Sequence, residues 1–162
     1  MNTRFRLLAA LLIFGANAAI AATTTANLSV TATISATCSV TTGTVAFGTY
    51  DPTSGSPDDA TGTVTVTCTN GTGYSITLGD GLYYSSGRRM RSSAVTYEYL
   101  TYELYQEAGR TTLWGDGTHG TVMGSLTGNG SAQAYTVYGR MPINQYSKPD
   151  SYADTVLVTV TY

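Results

Sequence analysis

The chain has 162 residues, 11% of them charged, and a formal net charge of −2. So few charges exclude disorder driven by self-repulsion, and the acidic balance excludes the clustered Lys and Arg that nucleic-acid binding needs. Thirty threonines, thirteen tyrosines and eighteen glycines stand beside three phenylalanines and one tryptophan, a composition that favours half-buried strands joined by turns, hence an all-β domain.

In chain order, residues 1–6 (MNTRFR) carry two arginines and no acid, and an apolar run follows that ends in Ala19-Ile20-Ala21. A basic start, a short apolar core and small residues at its end describe a secretory signal peptide over residues 1–21. The run is shorter than the ~20 residues a membrane-spanning helix needs. Cleavage after Ala21 leaves six basic side chains against ten acidic ones, a net charge of −4. The expected product is exported, and either soluble or assembled outside the membrane.

Residues 26–34 (ANLSVTATI) put Ala26, Leu28, Val30, Ala32 and Ile34 on alternate positions with polar residues between them. A period of two places one apolar row on one face of a strand. Val45-Ala46-Phe47 opens a second strand, and residues 51–60 (DPTSGSPDDA) read as a loop. Val64, Val66 and Cys68 alternate, as do Tyr74, Ile76 and Leu78, then Leu100, Tyr102 and Leu104. Residues 114–130 are rich in glycine and threonine and read as a long loop with a short strand at 121–123. Tyr135, Val137 and Gly139 precede Met141-Pro142, where proline favours a strand end or an edge. Residues 155–162 (TVLVTVTY) align Val156, Val158, Val160 and Tyr162, and the sequence stops at that strand's last side chain. About seven strands with this spacing suggest a small sandwich of two antiparallel sheets.

Cys38 and Cys68 are the only cysteines. An oxidising compartment should join them, and closing a loop of about thirty residues should stabilise the fold by roughly 3–4 kcal/mol. One histidine and no CxxC argue against a zinc or redox site, so neither metal nor cofactor is expected.

Catalytic constellations are poorly supplied. His119, the sole imidazole, falls in the Gly115–Gly120 turn and reads as a solvated loop residue. Glu98, Glu103 and Glu107 are candidate paired carboxylates, but Glu103 alternates with the apolar row and is expected to face solvent. Asp58, Asp59, Asp80 and Asp116 match no calcium loop and read as turn aspartates. Arg88-Arg89-Met90-Arg91 is the one basic cluster, half of the positive charge after cleavage, and reads as a solvated loop that could hold sugar or an acidic partner. Asn27, Asn70 and Asn129 each start an Asn-X-Ser/Thr triplet, which matters only in a host that glycosylates such sites. The expectation is a protein that is not an enzyme.

The two terminal strands carry the remaining information. Residues 26–34 either pair within their own chain or fill a groove in a neighbouring molecule, adding a strand through main-chain hydrogen bonds while alternate side chains enter pockets. The second arrangement runs head to tail and does not close, so it propagates as a filament.

The sequence resembles the spore coat protein U domain family, which includes pilin subunits of archaic chaperone–usher systems. The resemblance rests on Cys38, Phe47-Gly48-Thr49-Tyr50, Val64-Thr65-Val66-Thr67-Cys68, Tyr74 with Leu78, Arg89-Met90, Leu100-Thr101-Tyr102-Glu103-Leu104-Tyr105, Trp114-Gly115, Tyr138-Gly139 and the ending from Tyr152 to Tyr162. Ser151 stands where related sequences often show glycine. The resemblance implies an incomplete immunoglobulin-like β-sandwich over residues 35–162, completed by a donor strand from a neighbouring subunit or a chaperone. Residues 22–34 would be the donor segment, with Ala26, Leu28, Val30, Ala32 and Ile34 as its side chains. Val156, Val158 and Val160 would line the acceptor groove, and the Tyr162 carboxylate would be held by a periplasmic chaperone. Further implied partners are an outer-membrane usher and other copies of the pilin, in a surface pilus secreted through the periplasm that supports adhesion and biofilm formation. The alternative is a self-contained secreted coat or adhesin module that binds a surface or glycan and folds alone.

Overall fold

The structure, a computed structural model, describes residues 20–162. The signal peptide expected over residues 1–21 therefore lies outside the described residues except for its last two. The chain divides into two units, Met1–Thr33 and Ile34–Tyr162. In the first, no strand is assigned to the described residues, and all of them are exposed.

The second unit is all β among the described residues. Its strands are β1 (Cys38–Thr42), β2 (Asp58–Cys68), β3 (Gly73–Leu78), β4 (Arg88–Ser92), β5 (Tyr99–Tyr105), β6 (Met123–Thr127), β7 (Gln133–Met141), β8 (Tyr152–Ala153) and β9 (Val158–Thr161). They form a six-stranded sheet in the order β1-β2-β7-β5-β4-β8 and a three-stranded sheet in the order β6-β3-β9. Every strand pair is antiparallel.

The alternations at Val64/Val66/Cys68, Tyr74/Ile76/Leu78 and Leu100/Tyr102/Leu104 supply most of the buried core, joined by Val137, Met141 and Trp114. Period-two rows from both sheets thus face each other, as a sandwich requires. Trp114 is fully buried and links the layers: its indole N–H donates to Ile76 O at 3.1 Å, and its backbone N–H donates to Leu104 O at 2.8 Å.

Four local expectations need correcting. Residues 45–47 form no strand. After Gly43 the chain leaves β1 and crosses the inner face of the large sheet. Gly62 and Gly139 clear its path, since a Cβ at Gly139 would lie 2.8 Å from both Phe47 and Val45, and one at Gly62 would lie 2.6 Å from Val45. Glycine in a strand interior is the residue that admits such an approach. The basic run at 88–91 is strand β4 rather than a loop, and Arg88 is only 3% exposed. Glu103 is half-buried beside it instead of facing solvent, because it accepts from the Arg88 guanidinium at 3.3 Å. Finally, β6 starts where the short strand at 121–123 was expected to end.

Candidate functional site

β1 pairs only with β2, and β9 only with β3, so among the described residues each leaves one long edge unpaired. Between these two edges runs a groove of about 490 Å³, lined by Val40, Thr41 and Thr42 on one side and by Val156, Leu157, Val158 and Leu82 on the other. Register shows that the groove opens onto the core. Val40 is opposite Val66, Val158 opposite Leu78, and Val160 opposite Ile76. Residues directly opposite in an antiparallel pair share a face, and Val66, Leu78 and Ile76 are all fully buried. Their partners face the same interior but are not covered: Val40 is 39% exposed, and Val158 and Val160 are half-buried against the core, as is Val156 just ahead of β9. Tyr162 follows β9 and is exposed.

The first strand of the groove is held at one end by a covalent bond. Cys38 and Cys68 form a disulfide, and the two residues are also the first register pair of β1 with β2. The bond ties a short edge strand with little apolar contact of its own to a buried one.

The other apolar feature lies in residues 26–34. They adopt no strand, and Leu28, Val30 and Ile34 are 88%, 85% and 85% exposed, with Ala26 and Ala32 exposed as well. Three aliphatic side chains on alternate positions in water are an unfavourable arrangement, since burying each is worth about 1.5–3 kcal/mol.

The residues considered for chemistry have structural partners. His119 Nδ1 hydrogen-bonds Asp80 Oδ2 at 2.9 Å, its ring lies 4.6 Å from that of Tyr84, and no other side chain hydrogen-bonds the imidazole among the described residues. Asp116 accepts from the backbone N–H groups of His119 and Thr118, and these bonds hold its carboxyl below the ordinary range. Ligating atoms of Asp80, Asp116 and His119 lie within 4.8 Å of one another, and their mutual and backbone hydrogen bonds build the turn at residues 115–120. Glu98 accepts from Lys148 and Glu107 from Thr111 and Thr112, which lowers both carboxyls. Asp59 is lowered chiefly by the Arg140 guanidinium, whereas burial raises its neighbour Asp58. Burial also raises the Glu103 carboxyl, against the pull of Arg88.

Arg88 is the important residue that its sequence context hides. Its Nε donates to Gly79 O at 2.9 Å, and Nη2 donates to Leu78 O at 3.1 Å and Trp114 O at 2.8 Å. One side chain of the large sheet thereby holds the end of β3 in the small one. The available signal was Met90, an apolar residue two positions on, which marks 88, 90 and 92 as one strand row.

A two-sheet antiparallel sandwich with both sheet edges open along one side defines an incomplete immunoglobulin-like fold. A solved structure of similar fold is the CsuC–CsuE chaperone–tip adhesion subunit pre-assembly complex from archaic chaperone–usher Csu pili of Acinetobacter baumannii, with a TM-score of 0.59 and 20% identity over 80% of this chain. This chain spans 41% of the chain it matches there. A looser likeness, TM-score 0.43 and 16% identity, links 75% of this chain to 79% of the E. coli Hda pilus minor tip subunit HdaB. The spore coat protein U domain model matches residues 24–159. Protein U of Myxococcus xanthus is 40% identical over 158 residues, covering 88% of this chain and 87% of the relative. The chain belongs to the spore coat protein U domain family.

Proposed function

We propose that the chain is a structural subunit of a secreted surface pilus, polymerised by donor-strand exchange through a chaperone–usher pathway and supporting adhesion and biofilm formation. The observation that carries this reading is the pairing of an open, core-facing groove with an exposed apolar row in one chain. Leu28, Val30, Ala32 and Ile34, with Ala26 ahead of them, are the donor side chains that would enter a neighbour's groove. Val156, Val158 and Val160 would form its floor, and the free edges of β1 and β9 would give main-chain hydrogen bonds to the incoming strand. A periplasmic chaperone would fill the same groove before assembly, gripping Tyr162, and an outer-membrane usher would catalyse the replacement. The likeness to the chaperone–tip adhesion subunit complex of the archaic chaperone–usher Csu pili supports these partners and a path through the periplasm.

The test compares residues 22–162 with a chain in which residues 26–34 are repeated after Tyr162 through a flexible linker. The repeated strand should convert a polymerising or unstable chain into a monomer with a clearly higher unfolding midpoint. An unmodified chain already as stable and monomeric would sink the reading in favour of a self-contained coat module. That second reading draws support from the 40% identity to Protein U along nearly its whole length.

A further inference from the structure

Of the basic run, Arg88 serves the fold, and Arg89 and Arg91 point the other way. On β4 they lie opposite Thr101 and Tyr99, which alternate with buried Leu100 and Tyr102 and therefore occupy the outer face of the large sheet. Arg89 lies 4.3 Å above the Tyr99 ring, and its Nε donates to Tyr83 O at 2.8 Å. Arg91 lies between two rings, 4.4 Å from Tyr83 and 4.1 Å from Tyr97. Tyr83 and Tyr99 have ring centroids 6.2 Å apart with their planes tilted by 57°, so three tyrosines and two guanidinium groups form one continuous cluster in which each guanidinium stacks on a ring.

The cluster is electrostatically unfinished. Among the described residues, neither Arg89 nor Arg91 has a carboxylate partner, and no hydrogen bond reaches the Arg91 guanidinium. This happens in a chain with more acids than bases, because the nearby carboxylates are engaged elsewhere: Glu98 with Lys148, Glu103 with Arg88, and Asp150 with Ser93 and Ala94. Stacking covers the flat faces of a guanidinium and leaves its N–H edge available. That edge matches a carboxylate in a bidentate pair. Tyr97 and Tyr99, 54% and 36% exposed, place flat apolar rings beside it.

We propose that this Arg–Tyr cluster is a binding site for the carboxylates of an acidic polysaccharide. A uronate residue presents both complementary features, an apolar C–H face for a tyrosine ring and a carboxylate for the guanidinium edge. Two arginines two positions apart on one strand, ~6–7 Å, are too few for the run of phosphate contacts that holds nucleic acid on an acidic protein. The site goes beyond assembly, since it lies on the outer sheet face and needs no second copy of the chain.

The test measures retention of the full chain on immobilised polygalacturonate, on neutral dextran and on duplex DNA at equal charge density. Retention on polygalacturonate alone is expected, with at least a tenfold loss in the Arg89→Gln/Arg91→Gln double variant. Tyr97→Ser keeps both charges and is expected to lose several-fold in retention with its unfolding midpoint unchanged, so it decides the matter should the double variant fail to fold. Equal retention on dextran, retention on DNA as strong as on polygalacturonate, or wild-type retention by Tyr97→Ser would each overturn the proposal. Because retention is read against the unmodified chain, none of these outcomes depends on whether the chain polymerises.

Discussion

The two sides of this sandwich are built from the same kinds of residue and end in opposite states. Where β3 meets β4 and β5, Arg88 joins three carbonyls and a carboxylate, and Trp114 bonds to both sheets at full burial. Where β1 faces β9, valines aligned with fully buried partners remain half-exposed, and two strand edges lie free. Exposed edges are hazards that proteins usually blunt with charge, proline or a bulge. No charged residue or proline occurs in β1 or β9. An edge left sticky on one side of a molecule whose other side is tightly sewn is open to the addition of a strand.

The sharpest way to break the comparison is at the closed side. Arg88→Met keeps the bulk of the side chain but leaves Glu103 without its cation and the Leu78, Gly79 and Trp114 carbonyls without their donor. Removing one partner of a buried pair costs about 3–5 kcal/mol. Chemical denaturation should show a loss of that size, and a variant within 1 kcal/mol of wild type would show that the arginine does not hold the sheets together. The open side has its own tie. Replacing Cys38 and Cys68 with serine should cost roughly 3–4 kcal/mol, and hydrogen exchange should rise first in β1, which has no second strand partner to protect it.

How much of this could be read without coordinates depended on whether a residue's environment was local. The rows at Val64/Val66/Cys68 and Leu100/Tyr102/Leu104 were legible because alternation alone tells which face is inside. The aliphatic row at 26–34 was equally legible, and that it is unpaired is what the alternation could not say. Val45 and Phe47 look like strand residues, yet glycines more than fifteen and ninety positions away decide that they cross a sheet instead of joining one. Arg88 looked solvated because its partners at 78, 79, 103 and 114 come together only in the fold. Edge status is illegible for the same reason, since it is a property of topology and not of any one strand's sequence.

Tyrosines near the two layers give the next effect. Burial, and then a hydrogen bond to Tyr135 at 2.6 Å, push the Tyr74 hydroxyl from its ordinary 10.0 up to about 12. Burial and a bond to Asp154 raise Tyr102 as well. A group whose pKa is higher in the folded state contributes stability that is complete below the unfolded value, near 10, and is lost as pH rises through the folded value. For Tyr74 alone the loss between pH 10 and 12 is on the order of 2–3 kcal/mol. Denaturation midpoints should fall over that range, and Tyr74→Phe should flatten the fall. A slope unchanged by that substitution would mean that Tyr74 ionises as freely in the fold as in water.

Val158→Ala sharpens the contrast at the groove. Half-exposed in the single chain, Val158 should cost only about 1 kcal/mol when truncated. In a chain carrying residues 26–34 after Tyr162, the same change should cost more, because a filled groove turns the site into core and truncation then leaves a cavity. Equal losses in both backgrounds would place the added strand somewhere other than over Val158.

The smallest expected effect belongs to the outer face. Asp59 receives two bonds from Arg140, at 2.7 and 2.8 Å, and approaches Arg110 at 3.3 Å. This is the best ion-pair geometry on the surface of β2 and β7, but both Asp59 and Arg140 are about one-third exposed. Solvent screens such pairs, so Asp59→Asn should cost no more than about 1 kcal/mol. The sign with pH runs opposite to that of the tyrosines: Asp59 is lowered in the fold, so its contribution is present above the ordinary carboxylate range and fades as pH falls through it. The Asp59→Asn variant and wild type should therefore converge in stability on acidification. A loss several times larger, undiminished at low pH, would mean that the outer face carries structural weight and that charge there is not merely complementary. The contrast between a sewn side and an open one would then be too simple, with the β2–β7 surface standing as a third tie.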